Sequence, residues 1–267
     1  MDCGCPEVAG VGVPKWLSVV EYGSNDRDAI RYTFCMKTLG VIGGMSWEST
    51  VLYYQWINRG IKRELGGLHS AKLLLASVDF AEIEVLQHAG DWAGAGAILN
   101  QAAHSLQAGG ADLLLIATNT MHKVADETLH GVDLPLLHIV DPTADAIIGA
   151  GYRRVGLLGT GFTMRDDFYK GRMQDQFEID VMVPNEDDMN AVHQIIYDEL
   201  CLGDIVSASR DTYLAVIDRL VERGAQAIIL GCTEITLLIK QSHTSVPLFD
   251  TTELHAEAAV RAIISTA

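Results

Sequence analysis

Two apolar stretches, one in each half of the chain, constrain the fold more than any other feature. The first covers 113–117 and is followed by Thr118, and the second covers 227–231 and is followed by Cys232. Continuous apolar runs of this length are typical of strands that are buried on both faces of a parallel sheet. The polar residue after each run then lies at the carboxyl end of a strand, where open α/β sheets bind their ligands. The matching placement indicates a duplicated domain whose two strand ends face one substrate.

Strand-like segments alternate with helix-length spacers from Met36 onward, which predicts parallel βαβ units in both halves. We predict strands near 38–43, 73–78, 111–118, 134–139, 154–161, 179–183, 225–231 and 246–250. We predict helices near 48–65, 164–176, 188–223 and 252–265, with further helical segments up to Leu106. The predicted fold class is therefore α/β, with two pseudo-symmetric parallel-sheet α/β domains and the active site in the cleft between them.

The chain is expected to cross between the two domains near residue 140. The first domain would then comprise 36–140 plus 251–267, and the second would comprise 141–250. Residues 1–35 mix glycine, proline and charge without helical or strand periodicity. We expect them to form an N-terminal extension that is poorly ordered.

Composition excludes several classes of protein. The 267 residues carry a formal charge of −16 and no basic stripe, which argues against a nucleic-acid partner. No apolar run approaches the ~18–20 residues that cross a bilayer, so no membrane association is expected. The five cysteines are odd in number and no secretory signal is evident, which predicts reduced thiols and a cytoplasmic location.

Cys232 is the first candidate for chemistry. A thiol between a strand and a following helix lies at the helix N-terminus, where the helix dipole and free N–H groups favour the thiolate. The alternative is that cysteine serves here as a small buried hydrophobic residue. The flanking Thr233 and Glu234, together with the matching position of Thr118 in the other half, favour a functional role.

Thr118 is a less obvious candidate, because a hydroxyl is too weak an acid to act as a base unless a neighbour takes its proton. Thr118, Asn119 and Thr120 form a polar cluster that could equally cap the next helix and bind a ligand carboxylate. His122 follows four residues after Thr118. It could relay protons, or it could be a surface or packing residue.

Two glycine turns follow predicted strands, at Gly43–Gly44 and at 159–161. Neither turn completes a dinucleotide-binding fingerprint, because Met164 stands where the third glycine of the second turn would fall. Their backbone N–H groups are instead predicted to bind a carboxylate. The first turn exposes Met45 and Ser46 as pocket wall, and the adjacent Trp47 could line the pocket or belong to the core.

Lys170 is either a surface lysine or a cation that contacts a dicarboxylate, for which an acidic protein needs a local positive charge. No Walker loop, His-Glu-x-x-His or Gly-x-Ser-x-Gly motif occurs. The nine histidines show no ligand spacing, so no metal site is predicted. No lysine stands in a context that indicates a pyridoxal cofactor.

Four ordered motifs, at 39–50, 118–122, 231–234 and 247–250, resemble those of the aspartate/glutamate racemase family. The resemblance covers essentially all of 36–267. It implies a cofactor-independent racemase with two pseudo-symmetric domains, in which two cysteines flank the substrate α-carbon and exchange its proton. It also implies a small amino-acid substrate and a homodimer.

By this resemblance, Cys232 matches the second cysteine of the family, and Lys170 matches a basic residue that holds a substrate carboxylate. The resemblance also implies a pocket lined by residues of the glycine turn, of the loop after the second strand and of the two strand ends, namely Met45, Ser46, Gln87, Asn119, Thr120, Thr233 and Glu234.

The sequence departs from the family pattern at Thr118, where the first cysteine usually stands. A subgroup with this Thr/Cys pairing resembles racemases of L-glutamate and L-aspartate that prefer one enantiomer. The resulting hypothesis is a racemase that interconverts L- and D-glutamate or aspartate, with a Cys232 thiolate on one face and Thr118 on the other. Two alternatives stay open: a single-cysteine decarboxylase or isomerase of the same fold, and an inactive protein that binds or senses a small anion.

Overall fold

The computed structural model describes residues 17–20, 31–34 and 36–264. From Leu39 onward, the strands form two four-stranded sheets in which every neighbouring pair is parallel. The strands of the first sheet, in spatial order, are β4 (Leu73–Ser77), β3 (Leu39–Gly43), β5 (Leu113–Ile116) and β6 (Leu136–Leu137). Those of the second are β8 (Asp180–Met182), β7 (Arg154–Gly159), β9 (Ala227–Gly231) and β10 (Leu248–Asp250).

The two sheets have the same topology. In each, the strand that comes first along the chain lies between the second and the third, and the fourth forms the edge beside the third. This repeated order confirms the predicted α/β fold with two similar halves. We call the sheet β3–β6 with its helices the first lobe, and the sheet β7–β10 with its helices the second lobe.

Helices cover the sheets. In the first lobe they are α1 (Trp47–Leu65), α2 (Phe80–Ala89), α3 (Trp92–Ala108) and α4 (Ala125–Thr128). In the second they are α5 (Val140–Gly149), α6 (Gly161–Arg165), α7 (Asp167–Phe177), α8 (Glu186–Asp198), α9 (Ser207–Glu222) and α10 (Ile235–Leu238). A last helix, α11 (Thr251–Ile264), follows β10. Short 3-10 turns cover Thr120–Val124, Leu200–Leu202 and Gln241–His243.

The central strands are buried on both faces, as their apolar runs predict. In β5, Leu114 and Ile116 pack into a core cluster that contains residues of α2 and α3. Leu113 and Leu115, on the opposite face, pack into a second cluster with residues of α1 and α11. Because neither face of the strand meets water, alternation of polar and apolar residues is absent from the sequence.

The chain returns to the first lobe at its last described helix. Helix α11 follows β10 of the second sheet, yet Val260 packs in the core cluster of the first lobe with Tyr53. A Cβ at Gly60 of α1 would lie 2.5 Å from Val260 Cγ2, so the close approach of the two helices requires glycine. The first lobe therefore includes a segment from the far end of the described chain.

Two regions differ from the expectations. Strands β1 (Leu17–Val20) and β2 (Arg31–Phe34) pair antiparallel, although no strand periodicity was expected before residue 36. The rest of 1–35 lies outside the described residues, so the predicted poor order of the extension stays a prediction. Strand β6 spans two residues rather than six, because Pro135 offers the sheet only its carbonyl, which accepts from Leu114 N at 2.9 Å. Among the described helices, none has the length and apolar character needed to cross a bilayer.

Candidate active site

A cleft with about 480 Å³ of empty space, part of it open to solvent, lies between the lobes at the carboxyl ends of the central strands. The structure brings nine of the ten predicted site residues together there: Met45, Ser46, Gln87, Thr118, Asn119, Thr120, Cys232, Thr233 and Glu234. Thr118 follows β5 of the first lobe and Cys232 follows β9 of the second. The two strand ends that the sequence singles out therefore share one cavity.

Cys232 is held as a thiol beside a carboxylate. Its Sγ donates a hydrogen bond of 2.9 Å to Glu234 Oε2. Burial, and then the negative charge of Glu234, raise the pKa of Cys232 well above its ordinary value. The resting side chain is thus a thiol rather than the expected thiolate, because the following helix α10 is a single turn whose dipole is weak against the burial and the adjacent charge.

Glu234 is held across the lobe interface. Its Oε1 accepts hydrogen bonds from Ser46 Oγ at 2.9 Å and from Ser49 Oγ at 2.8 Å. Ser46 is also the N-cap of α1, and its side chain accepts from Ser49 N at 3.3 Å. Glu234 is 9% exposed, so these donors replace most of the water that its carboxylate would bind in solution.

The first glycine turn shapes the cleft through its backbone. Gly44 has φ of 94°, and a Cβ there would lie 2.2 Å from Val78 O, so only glycine fits. The turn carries Met45 and Ser46 into the cleft wall.

The two glycine turns do not offer the predicted anion sites at Gly44 and Gly161. Gly44 N donates to Thr50 Oγ1 at 2.8 Å, and Gly161 N donates to His193 Nδ1 at 3.1 Å. Side chains therefore take both N–H groups before a ligand could.

The segment after β5 contains a cleft residue, Asn119, that carries a buried acceptor. Asn119 Nδ2 donates to Thr251 Oγ1 at 2.9 Å, and Thr251 Oγ1 in turn donates to Leu230 O at 3.0 Å. This chain fixes the amide orientation, because the hydroxyl has already given its proton to the carbonyl. Asn119 Oδ1 is left buried without a partner among the described residues. Asn119 makes no side-chain cap bond, so the capping alternative for this segment is wrong.

Gln87 supplies a second such acceptor. The residue is 3% exposed and lies in helix α2, and its Nε2 contacts Met121 Sδ at 3.1 Å. Gln87 Oε1 also lacks a partner in the described part of the chain. Buried polar groups normally find partners, and both of these acceptors belong to residues that line the cleft.

Three threonine hydroxyls meet at the lobe interface. Thr120 Oγ1 lies 3.1 Å from Thr160 Oγ1 and 3.3 Å from Thr163 Oγ1, and the latter two are 3.2 Å apart. Thr160 belongs to the second glycine turn and lines the cleft with Thr120. Each hydroxyl can donate or accept, so the cluster can reorient toward an anion.

Lys170 and Trp47 lie elsewhere. Lys170 Nζ donates to Arg165 O at 3.0 Å, and the residue is not among those that line the cleft. Its role in binding a substrate carboxylate stays a prediction. Trp47 is 65% exposed and belongs neither to the core nor to the cleft wall. Of the described residues that line the cleft, none is lysine or arginine.

His122 lies behind the cleft rather than in it. Its Nδ1 lies 2.8 Å from Thr118 O, and its Nε2 accepts from Ile139 N at 3.2 Å. Because the backbone occupies both ring nitrogens, the ring has no free position from which to relay protons to a ligand.

Sequence reasoning missed four cleft residues, namely Phe80, Ile196, Tyr197 and Cys201, whereas Thr160 and Gly231 belong to the glycine turn and the motif that it singled out. Phe80 begins α2 shortly after the end of β4, so the rule that led to Thr118 and Cys232 could have found it. Ile196, Tyr197 and Cys201 lie in or just after α8, and no local pattern marks them. In the described part of the chain, no group of three or more His, Cys, Asp or Glu side chains could hold a metal ion.

The fold and the cleft define a two-lobed α/β protein with a thiol–carboxylate pair at one strand end. A sequence model of the Asp/Glu/Hydantoin racemase family matches residues 42–259. The chain belongs to this family.

Solved structures and a curated relative agree with this membership. A protein assigned to the Asp/Glu racemases, from Yersinia pestis, is 53% identical, with a TM-score of 0.81 over 86% of this chain and 100% of that one. An aspartate racemase homologue from Pyrococcus horikoshii OT3 is 34% identical, with a TM-score of 0.74 over 86% and 100%. A glutamate racemase from Persephonella marina is 25% identical over 58% of this chain and 60% of its own length.

Proposed function

We propose that this protein is a cofactor-independent racemase that interconverts the L and D forms of aspartate or glutamate. In this reaction Cys232 acts on one face of the substrate α-carbon and Thr118 on the other. The proposal rests on the 2.9 Å hydrogen bond from Cys232 Sγ to Glu234 Oε2, in a cleft that Thr118 also lines. The similarity to an aspartate racemase homologue and to a glutamate racemase supports this substrate class.

Glu234 provides the base that a high-pKa thiol needs. The carboxylate takes the Cys232 proton, and the resulting thiolate removes the proton from the α-carbon. Ser46 and Ser49 keep the carboxylate in place for this transfer. In the opposite direction the neutral thiol, which burial favours, delivers its proton to the carbanion.

The two faces should work at different rates. The Thr118 hydroxyl is a much weaker acid than a thiol and gives a much less available base. The enantiomer whose Cα–H faces Thr118 should therefore exchange its proton with solvent more slowly. The overall kcat/KM values of the two enantiomers must still be equal, because the enantiomers have the same free energy in water.

The orphan acceptors suit an amino-acid ammonium. Asn119 Oδ1 and Gln87 Oε1 are buried and have no partner among the described residues, and both residues line the cleft. An ammonium donates three hydrogen bonds and would satisfy both oxygens. The hydroxyls of Thr120 and Thr160 are then available for a carboxylate, with Lys170 as a further contact if it leaves the Arg165 carbonyl.

The test incubates the protein in D2O with each enantiomer of aspartate and glutamate in turn. Proton NMR then measures the rate at which the Cα–H signal of the amino acid disappears. We expect exchange and inversion with the wild type, and we expect Cys232→Ala to abolish inversion. The matched control is Cys201→Ala, which removes the other cleft thiol but leaves the pair of Cys232 and Glu234 intact.

Two other outcomes would replace this proposal. Tight binding of either amino acid without exchange would indicate a sensing protein. Release of carbon dioxide from an arylmalonate, without exchange of any amino acid, would indicate a decarboxylase.

A further inference from the structure

The carbonyl group of Thr118 is bound by a side chain. Within the 3-10 turn Thr120–Val124, His122 N donates to Asn119 O at 3.1 Å, one residue short of an α-helical bond. The His122 ring folds back and places Nδ1 2.8 Å from Thr118 O. The imidazole thus binds the carbonyl that an α-helix would have paired with the backbone N–H of the same residue.

The partners of the ring determine its tautomer. A carbonyl oxygen only accepts, so Nδ1 carries the proton that is donated to Thr118 O. A backbone N–H only donates, so Nε2, 3.2 Å from Ile139 N, carries the lone pair. One neutral tautomer satisfies both bonds, and a doubly protonated ring would place a second proton against the Ile139 N–H.

The surroundings keep this ring neutral. His122 is 3% exposed, and the rings of His138 and His255 lie 4.5 Å and 5.8 Å away between centroids. Burial lowers the pKa of His122 to about 4, with the nearby Asp141 raising it and Arg172 lowering it by smaller amounts. Both hydrogen bonds therefore persist through the neutral pH range.

We propose that His122 is a positioning residue for the Thr118 face of the reaction, because its Nδ1–H fixes the Thr118 carbonyl, while the bond from Ile139 N to Nε2 holds the ring in its orientation. Ile139 immediately precedes the helix that enters the second lobe, so the bond links the strand end of one lobe to the crossing between lobes. The inference rests on the proposed function, in which Thr118 acts on the α-carbon. A weakly acidic hydroxyl depends on accurate placement, and a shift of ~1 Å can cost about a hundredfold in rate.

Two variants separate the two bonds. The amide of His122→Asn reaches the position of Nδ1 and can donate to Thr118 O, but it loses the acceptor for Ile139 N. The longer His122→Gln reaches the position of Nε2 and can accept from Ile139 N, but it loses the donor to Thr118 O. His130→Gln, at an exposed histidine, is the matched control.

The readout is the rate of Cα–H exchange in D2O for each enantiomer separately. Thr118→Val first identifies the enantiomer that depends on the Thr118 face. We expect His122→Gln to slow exchange of that same enantiomer by tenfold or more and to leave the other within about threefold. His122→Asn should retain both rates within about threefold of the wild type.

Equal slowing of both enantiomers by His122→Gln, or no slowing of either, would overturn the inference. If the Gln variant does not fold, as judged by circular dichroism, His122→Ala is compared with His122→Asn, because only the Asn variant keeps a donor for Thr118 O. Slowing of the Thr118-face enantiomer by tenfold or more in the Ala variant alone would support the proposal, and equal rates in the two variants would contradict it. Absence of exchange in the wild type would instead refute the proposed function, so the two failures are distinguishable.

Discussion

Ser49 Oγ, on the first helix of one lobe, donates a hydrogen bond of 2.8 Å to Glu234 Oε1 in the other lobe. The contact joins two residues that are far apart in sequence, and it fixes the carboxylate to which Cys232 donates. The thiol, the carboxylate and the hydroxyl therefore form one unit that exists only when the lobes are together.

Ser49→Ala should destabilise the protein, because a buried carboxylate would lose one of its donors. We expect a loss of about 1–3 kcal/mol in the free energy of unfolding, measured by urea denaturation. Ser105→Ala, on the exposed surface of α3, is the control and should change the value by less than about 0.5 kcal/mol. Equal values for both variants would contradict the stabilising role of the Ser49 contact.

Glu234→Gln should make the Cys232 thiol more acidic and at the same time slow the exchange of the substrate α-proton. Removing the negative charge removes the second cause of the raised pKa, so the pKa of Cys232 should fall toward its ordinary value while remaining raised by burial. Alkylation of Cys232 by iodoacetamide, followed by mass spectrometry across pH, should then begin at lower pH than in the wild type. Exchange on the Cys232 face should nevertheless fall by roughly 10²-fold or more, because the general base is lost. An unchanged alkylation profile would show that the carboxylate does not act on the thiol.

Thr118→Cys should speed proton exchange on the side of the substrate that Thr118 faces, which is the slower side in the wild type. A thiol is the better acid and its conjugate base is more available, so the enantiomer that depends on this face should exchange at least about tenfold faster. The other enantiomer, whose proton meets Cys232, should be little affected. The same NMR assay in D2O measures the exchange rates of both enantiomers. If only the enantiomer whose proton meets Cys232 exchanged faster, the two faces would be wrongly assigned.

The buried histidines predict sensitivity to acid. Burial lowers the pKa values of His122, His138 and His255 to about 4, 2 and 3. The unfolded chain binds these protons below about pH 6.5, whereas the folded chain does not. The folded state therefore loses stability as the pH falls from 6.5 toward 4. The loss in the free energy of unfolding is up to about 1.4 kcal/mol per pH unit for each histidine. Asp250 opposes part of this loss, since burial raises its pKa to about 6 and the folded state holds its proton.

Urea denaturation at pH 7.5 and pH 5.5 measures this effect. We expect a lower free energy of unfolding at pH 5.5 than at pH 7.5. The difference between the two pH values should be smaller in His138→Gln, because this variant lacks one of the buried titrating rings. The exposed His130→Gln should keep the full difference. A wild type that is equally stable at both pH values would mean that the histidines are not buried as neutral rings.

The fold was largely predictable because its signals are local. The continuous apolar run of β5 needs no partner to be recognised as a strand buried on both faces, and the rule of ligands at carboxyl strand ends located Thr118 and Cys232. Gly44 was equally visible as a turn, although its N–H was assigned to a ligand rather than to Thr50.

The errors concern quantities that depend on packing between distant elements. The acidity of Cys232 depends on its burial and on the position of Glu234, neither of which follows from the helix that comes after it. The contact of Ser49 with Glu234 requires two lobes to be juxtaposed. The bond between His122 and Thr118 requires a 3-10 turn where a helix was expected.

The return of α11 to the first lobe has a consequence for synthesis on the ribosome. Tyr53 and Leu115 emerge early in the nascent chain, but the helix that covers them, Thr251–Ile264, emerges last among the described elements. All four strands of the second lobe come from one contiguous segment that emerges before α11. The lobe that is translated first is therefore the one completed last, and a chain stalled before Thr251 leaves its apolar face uncovered.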